Sequence, residues 1–455
     1  MAVFALSISL GLAIIIVEWV TWTRCFGLDY LRVVNIIYVL CFVVIPIDLR
    51  FTNPANINAV KWPWVTFYPV YDSSFIYASL LAWLGYLMII VGYFYTSRYI
   101  PRKKLPILTE VTRDSVTPNY ALYIGILFAL CGTGCYLIYA QSMGGVKFLI
   151  DNAVALRTSA IVTSSNLTFL KNLAPMVEVG SYFLWAAGVI SKSWPSKVIS
   201  WMMFAFSFLI SIGILVTAAG RLAFFSYIFT FILSTSILRR KFGAKRMIFS
   251  AVIFLLIVIF GRQLFNYFGY QQGLFNEVNT VSNRGLGAIQ SVLLEFSFPY
   301  TNLANIVRVV PHIIGFRYFK DFGLAFVYLL PKRLLSIQPP PTISDINTQL
   351  FNVPQSSQIP VDILTYGYFS LGIIGIVIIT LLYGGVLKIL DYTFQDHSMG
   401  TGVVFHAAWI LFIAFRVMYA DPQLALFSGF NLFIGTIFFI FPNLLPRKTK
   451  IITFT

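Results

Sequence analysis

An all-α, polytopic transmembrane bundle of about eleven spans, one integral membrane domain over residues 1–455, is the fold class this sequence predicts. Three observations predict it. Hydrophobic residues make up 58% of the chain and charged residues 11%, whereas a soluble domain carries about a quarter charged residues. The apolar residues fall in near-continuous runs of about 20 without period-two alternation, which is the length an α-helix needs to cross a bilayer. A backbone in hydrocarbon must satisfy its own polar groups, and without alternation that leaves helices.

The runs lie near 2–22, 33–47, 74–97, 119–140, 173–191, 199–218, 222–238, 247–262, 362–387, 402–420 and 424–442. Run 2–22 lacks a basic leading region and a small-x-small cleavage site, so it reads as a retained first span. Between Trp201 and Leu238 the only charge is Arg221. One helix over that stretch would be roughly 57 Å long, against a hydrocarbon core of about 30 Å. The stretch therefore reads as two spans that break at Ala218-Ala219-Gly220, with Arg221 at the mouth of the hairpin. Ionisable residues within the runs are sparse and sit near their ends (Glu18, Glu178, Arg416), with no relay of carboxylates and no inverted repeat. Cys25, Cys41, Cys131 and Cys135 read as small hydrophobes in packing positions.

Charge orients the bundle. Arg98–Arg113, Arg239–Arg246 and the tail Arg447–Lys450 are strongly basic, and eleven spans put all three on one side, which the positive-inside rule makes cytoplasmic. That side holds 18 of the 32 Lys and Arg, which leaves 14 outside, a surplus for outer loops. Nine of the 14 are arginines: Arg50, Arg157, Arg221, Arg262, Arg284, Arg308, Arg317, Arg333 and Arg416. A guanidinium presents a rigid fork of donors that suits diphosphate oxygens.

Two outer segments are long, 141–172 and above all 263–361. The second is far beyond a connecting loop, and such length is usually functional. From Asn283 the pattern NRGLGAIQSVLLEFSFPYTNLANIVRVVP sets Arg284, Ala288, Ser291 and Glu295 on one helical face, punctuated by Pro299 and Pro311. It predicts a helix lying on or dipping into the membrane surface. Further on, Arg317, Lys320, Lys332 and Arg333 bracket an apolar stretch too short to span. In the shorter segment Arg157 stands in a Ser/Thr-rich setting, and Asn166-Leu-Thr168 matches a glycosylation acceptor. His312, His397 and His406 have no second ligand nearby in sequence.

Together the Ala/Gly-rich mouth and arginine (TAAGRLAFF), the basic inner loop and the large outer loop resemble the oligosaccharide repeat-unit polymerases of the Wzy type, those of O-antigen and enterobacterial common antigen. So do EFSFPYTNL, LLPKRLLSIQPPP and the return IPVDILTYGYFSLGIIGIVIITLLYGG, in which Tyr366, Gly367, Gly372 and Gly375 enter the next span. The resemblance covers roughly residues 119 to 390.

The resemblance implies a GT-C-like membrane glycosyltransferase of the Gram-negative inner membrane, working on the periplasmic side. It would move a growing glycan from undecaprenyl diphosphate to the non-reducing sugar of another lipid-linked repeat unit, beside a Wzz-type chain-length regulator and a flippase. The donor is already activated, which fits the absence of GxxxxGK[ST] and GxGxxG motifs and implies no cofactor and no nucleic acid. The outer acids are scattered, so no bound metal is expected. Arg157, Arg221, Arg284, Arg308, Arg317, Arg333 and Tyr366 are the candidate substrate contacts, since fixed cations would stabilise the departing diphosphate. Glu295 is the first candidate general base, with His312 and Asp345 in reserve. Two other readings remain. An O-antigen ligase would place a histidine late in the large loop, and none follows His312 there. A lipid-oligosaccharide flippase would place polar residues at the bilayer midplane.

Overall fold

The computed structural model describes residues 1–22, 29–51, 73–99, 116–153, 156, 167, 169–218, 221–238, 293, 296–328, 340–350, 359–394 and 401–444. Among them every regular element is helical and there is no strand. In chain order they are α1 (Ala2–Trp22), α2 (Tyr30–Val39), a π-helical segment (Leu40–Val44), α3 (Ile45–Phe51), α4 (Ser73–Tyr99), α5 (Pro118–Ser142), α6 (Val146–Asp151), α7 (Leu170–Leu173), α8 (Met176–Ile190), α9 (Trp194–Thr217) and α10 (Arg221–Leu238). The segment 263–361 contributes α11 (Phe298–Val309), α12 (Lys320–Tyr328) and α13 (Ile343–Leu350). Then come α14 (Ile363–Phe394), α15 (Thr401–Ala414) with a 3-10 turn (Phe415–Val417), and α16 (Pro422–Leu444).

Eight helical stretches are long and apolar enough to cross a membrane, and Leu222–Leu238 and Thr401–Val417 are shorter apolar helices. The chain is a helical membrane protein. Each expected run except 247–262, which lies outside the described residues, coincides with a helix. The stretch around Arg221 does split: α9 ends at Thr217 and α10 begins at Arg221. Local chemistry sets several starts. Thr117 caps α5 through the Tyr120 N–H, with Pro118 in the first turn, where a missing N–H costs nothing. Cys41 is buried as expected, whereas Cys131 is exposed on its helix.

α4 and α14 form the tightest pair. A Cβ added at Gly384 would stand 2.1 Å from the Ile89 carbonyl oxygen, so the two backbones touch, as small residues allow in membrane bundles. Tyr93 meets Asp391 and Tyr392 meets Ser97 further along, so the helices run parallel.

The region read as one span over 362–387 is two helices. Leu371 (φ −150°, ψ 27°) and Gly372 (φ 62°, ψ −138°) break it. A Cβ at Gly375 would stand 2.0 Å from the Gly367 carbonyl oxygen, although residues eight apart on a straight helix lie about 12 Å from each other. The chain therefore turns back on itself at 371–372, and residues 363–370 descend beside the crossing helix. Arg317 and Tyr318 donate their N–H groups to the Phe369 and Ser370 carbonyls (both 2.9 Å), closing the end of the short arm. Asp362, at its other end, lies roughly 12 Å below the turn. Hydropathy cannot separate this hairpin from a single span, because both arms are apolar.

The long segment also departs from expectation. Pro299 starts a helix rather than ending one. The face expected on the membrane surface, Arg284, Ala288, Ser291 and Glu295, lies outside the described residues, while the helix after it, α11, is buried from Phe298 to Ala304 and at Ile306. The Tyr300 hydroxyl donates to the Phe75 carbonyl (2.9 Å) and lies 2.9 Å from Ser79 Oγ, which ties α11 to the head of α4.

Candidate functional site

A polar junction forms where α11 and α13 dock on the starts of α14 and α16. Each start is capped by an aspartate. Asp362 Oδ1 accepts from the Leu364 and Thr365 N–H groups (3.0 Å each), and Asp421 Oδ1 accepts from the Gln423 N–H (2.9 Å). Helix N-termini leave such donors orphaned, and Asp is among the best residues to satisfy them. The second oxygens differ. Asp421 Oδ2 accepts from the Ser344 hydroxyl (2.6 Å), which fastens α13 to α16. Asp362 is fully buried, and its Oδ2 has no hydrogen-bond partner among the described residues.

Backbone contacts hold the junction shut. Ala420 N–H donates to Val361 O (2.7 Å), the Asn302 amide to Pro360 O (2.9 Å), and Ile359 N–H to Thr348 Oγ1 (2.7 Å). Asn302 Oδ1 remains unpaired among the described residues. Arg416 sits in the turn between α15 and α16. Its Nε donates to Phe412 O (3.2 Å) and its guanidinium lies over the Phe412 ring, 4.5 Å from the centroid. Its Nη1 is buried with no acceptor among the described residues.

Of the candidates read from sequence, Tyr366 is fully buried beside this junction, its ring 5.9 Å from that of Phe319 and 5.6 Å from that of Phe322. Arg317 is near it but not open to a ligand. Its guanidinium forms a two-point pair with the Asp321 carboxylate in a buried position, which commits it to holding the start of α12. The i, i+4 spacing of the two was visible in FRYFKD; the burial was not. Asp345 accepts from the Thr342 N–H (3.0 Å), a cap on α13. Arg308 lies half-buried in the last turn of α11, and His312 is exposed just beyond it. Glu295, Arg157, Arg284 and Arg333 lie outside the described residues, as does the Arg221 side chain.

Sequence reading passed over Asp362, Asp421, Asn302 and Ser344. A signal existed for two of them: Asp421 stands directly before Pro422 and Asp362 before an apolar run, the pattern of a capping residue at a helix start. It also put Glu178 near a span end. The structure agrees: α8 begins at Met176 and Glu178 stands in its first turn. There the Asn431 amide reaches its Oε2 (3.4 Å) and the Pro175 carbonyl (3.2 Å).

No protein-family model, no curated protein and no solved structure matches the chain. Fold and site define a class: a helical membrane protein in which α11 and α13 fold onto the bundle beside a buried polar junction.

Proposed function

We propose that the chain is a Wzy-type polymerase of undecaprenyl-diphosphate-linked oligosaccharides, acting on the periplasmic side of a Gram-negative inner membrane. The observation that carries the reading is the docking of α11 and α13, from the long outer segment, onto the starts of α14 and α16, where Asp362, Asn302 and Arg416 keep unused hydrogen-bonding capacity. A glycan transfer between lipid-linked partners needs such a place, below the headgroup level and closed to bulk water, where the leaving diphosphate and the acceptor hydroxyl meet. The chemistry is substitution at the anomeric carbon. The acceptor oxygen forms the new glycosidic bond, the bond to the diphosphate oxygen breaks, and a base takes the acceptor proton. Cations fixed near the diphosphate lower the barrier. Arg157, Arg221, Arg284 and Arg333 are the outer-segment candidates for that part, and Glu295 for the base.

Deletion in the native host with gel analysis of surface glycan tests the reading. A single repeat unit on the lipid core is the expected outcome, and ladders of parental length would sink it. The flippase is the second reading, favoured by the part-buried Glu178–Asn431 contact between α8 and α16. In that case the deletion strain would leave lipid-linked units on the cytoplasmic face and no glycan on the core.

A further inference from the structure

We propose that Arg416 receives a phosphomonoester or diphosphate group at the covered junction. The inference rests on the lipid-diphosphate reading above, but its starting point is the state of one side chain. An arginine keeps its charge, and drawing part of that charge away from water without compensation costs stability. Folded proteins therefore pair such groups. Arg416 is half-buried and unpaired among the described residues: no carboxylate oxygen lies within 4.0 Å of it, and its buried Nη1 has no acceptor.

The carboxylate that faces Arg416 across the turn, Asp421, is already taken up by Ser344 and by the start of α16. The other titratable groups that face it, Tyr383 and Tyr419, carry no charge to offset it, and the Tyr383 hydroxyl donates to the Ile413 carbonyl (2.7 Å). The guanidinium is also held in place. Nε is tied to its own helix at Phe412 O, and the Phe412 ring supports one face. What remains is a fixed plane with unused donors, which is the geometry that recognises a phosphate through two parallel bonds.

Depth favours a lipid-borne anion. α15 and its 3-10 turn span 401–417, about 26 Å of helix, which is less than the hydrocarbon core of about 30 Å. Its end, with Arg416, lies beside the Asp362 arm, to which Ala420 is bonded. A polyprenyl chain in the bilayer would deliver its headgroup at that level, whereas a free anion would have to enter past α11 and α13.

The test uses the full chain in phosphatidylcholine nanodiscs with undecaprenyl diphosphate as probe. Arg416→Gln should weaken binding at least tenfold, and Arg416→Lys, which keeps the charge but not the fork, should fall between Gln and the parent. Equal affinity in Arg416→Gln overturns the proposal. Should that variant fail to fold, the parental protein decides: the probe should slow phenylglyoxal modification of Arg416, read by mass spectrometry, and no protection overturns the proposal. Inorganic pyrophosphate protecting as well as the lipid would keep the anion site and make its source soluble. Phosphatidylglycerol, a phosphodiester, protecting equally would make Arg416 a bulk-lipid anchor and overturn it. The two levels separate cleanly. Binding through Arg416 without any polymerised glycan would sink the polymerase reading alone, and polymerisation with parental affinity in Arg416→Gln would sink this one alone.

Discussion

The two ends of the bundle treat buried charge in opposite ways. At the end formed by the close of α1 and α4, the start of α2 and the close of α14, Arg32, Glu18, Asp29, Lys388 and Asp391 each have an opposite neighbour. Arg32 lies 3.5 Å from Glu18 and 3.8 Å from Asp29, and Lys388 lies 4.0 Å from Asp391. Most of the remaining capacity is taken up too, although Asn35 Oδ1 has no partner among the described residues. Asn35 donates to Glu18 (2.6 Å), Tyr93 and the Tyr30 N–H donate to Asp391, and Lys388 lies against the Tyr93 and Tyr392 rings at 4.7 and 4.8 Å. At the junction end only Arg317 and Asp321 are so paired, while Asp362 and Arg416 have no ionic partner among the described residues. The first arrangement ties helices together. The second holds charge in reserve, which costs stability and makes sense where a ligand or a reacting group completes the set.

Mutation can break this comparison, and the largest effect belongs to the paired end. Asp391→Ala strands the Lys388 ammonium and the Tyr93 hydroxyl in a buried place, so thermal unfolding in detergent should show a loss of about 3–5 kcal/mol. Adding Lys388→Met should restore much of it. An unchanged melting point in the single variant would mean that this end is not held by its charges.

Next is the fold-back that lowers Asp362 into the bundle. Gly375→Ala puts a methyl group against the Gly367 carbonyl, and overpacking of that kind costs about 1–3 kcal/mol. If Gly375→Ala melts like the parent, the two arms are not in contact.

Asp362→Asn keeps the capping oxygen and removes the charge. Stability should change by less than about 1 kcal/mol, since Asn and Asp cap equally well. Glycan polymerisation should drop by about tenfold or more, or about 1.4 kcal/mol in barrier. Full activity in this variant would move Asp362 to the structural side of the comparison.

Smaller still is the effect expected of Arg317→Met combined with Asp321→Leu. Replacing a buried pair by apolar groups is often neutral, so both melting point and activity should stay near parental values. Lost activity with an intact fold would return Arg317 to the substrate contacts. At the bottom of the scale, EDTA should leave the rate unchanged. Inactivation by EDTA with recovery on adding magnesium or manganese would refute the metal-free reaction.

The sequence by itself determined the class of protein and most of its spans. Burial in a bilayer depends on the local run of apolar residues, and the break at 218–220 follows from helix length alone. It also marked the outer segment as the place to look. Only the tertiary structure decided which charges matter there. Arg317 and Arg416 both stand beside apolar runs with an acid four or five residues on, yet one is consumed by Asp321 and the other is left with open donors. The fold-back at Gly372 was equally hidden, because two apolar arms and one apolar span have the same hydropathy. The physical reason is range: hydrophobicity and capping act within a few residues, whereas pairing of buried charge depends on groups such as Ser344 and Asp421, which lie 77 positions apart in the chain and meet only when the long segment folds onto the bundle.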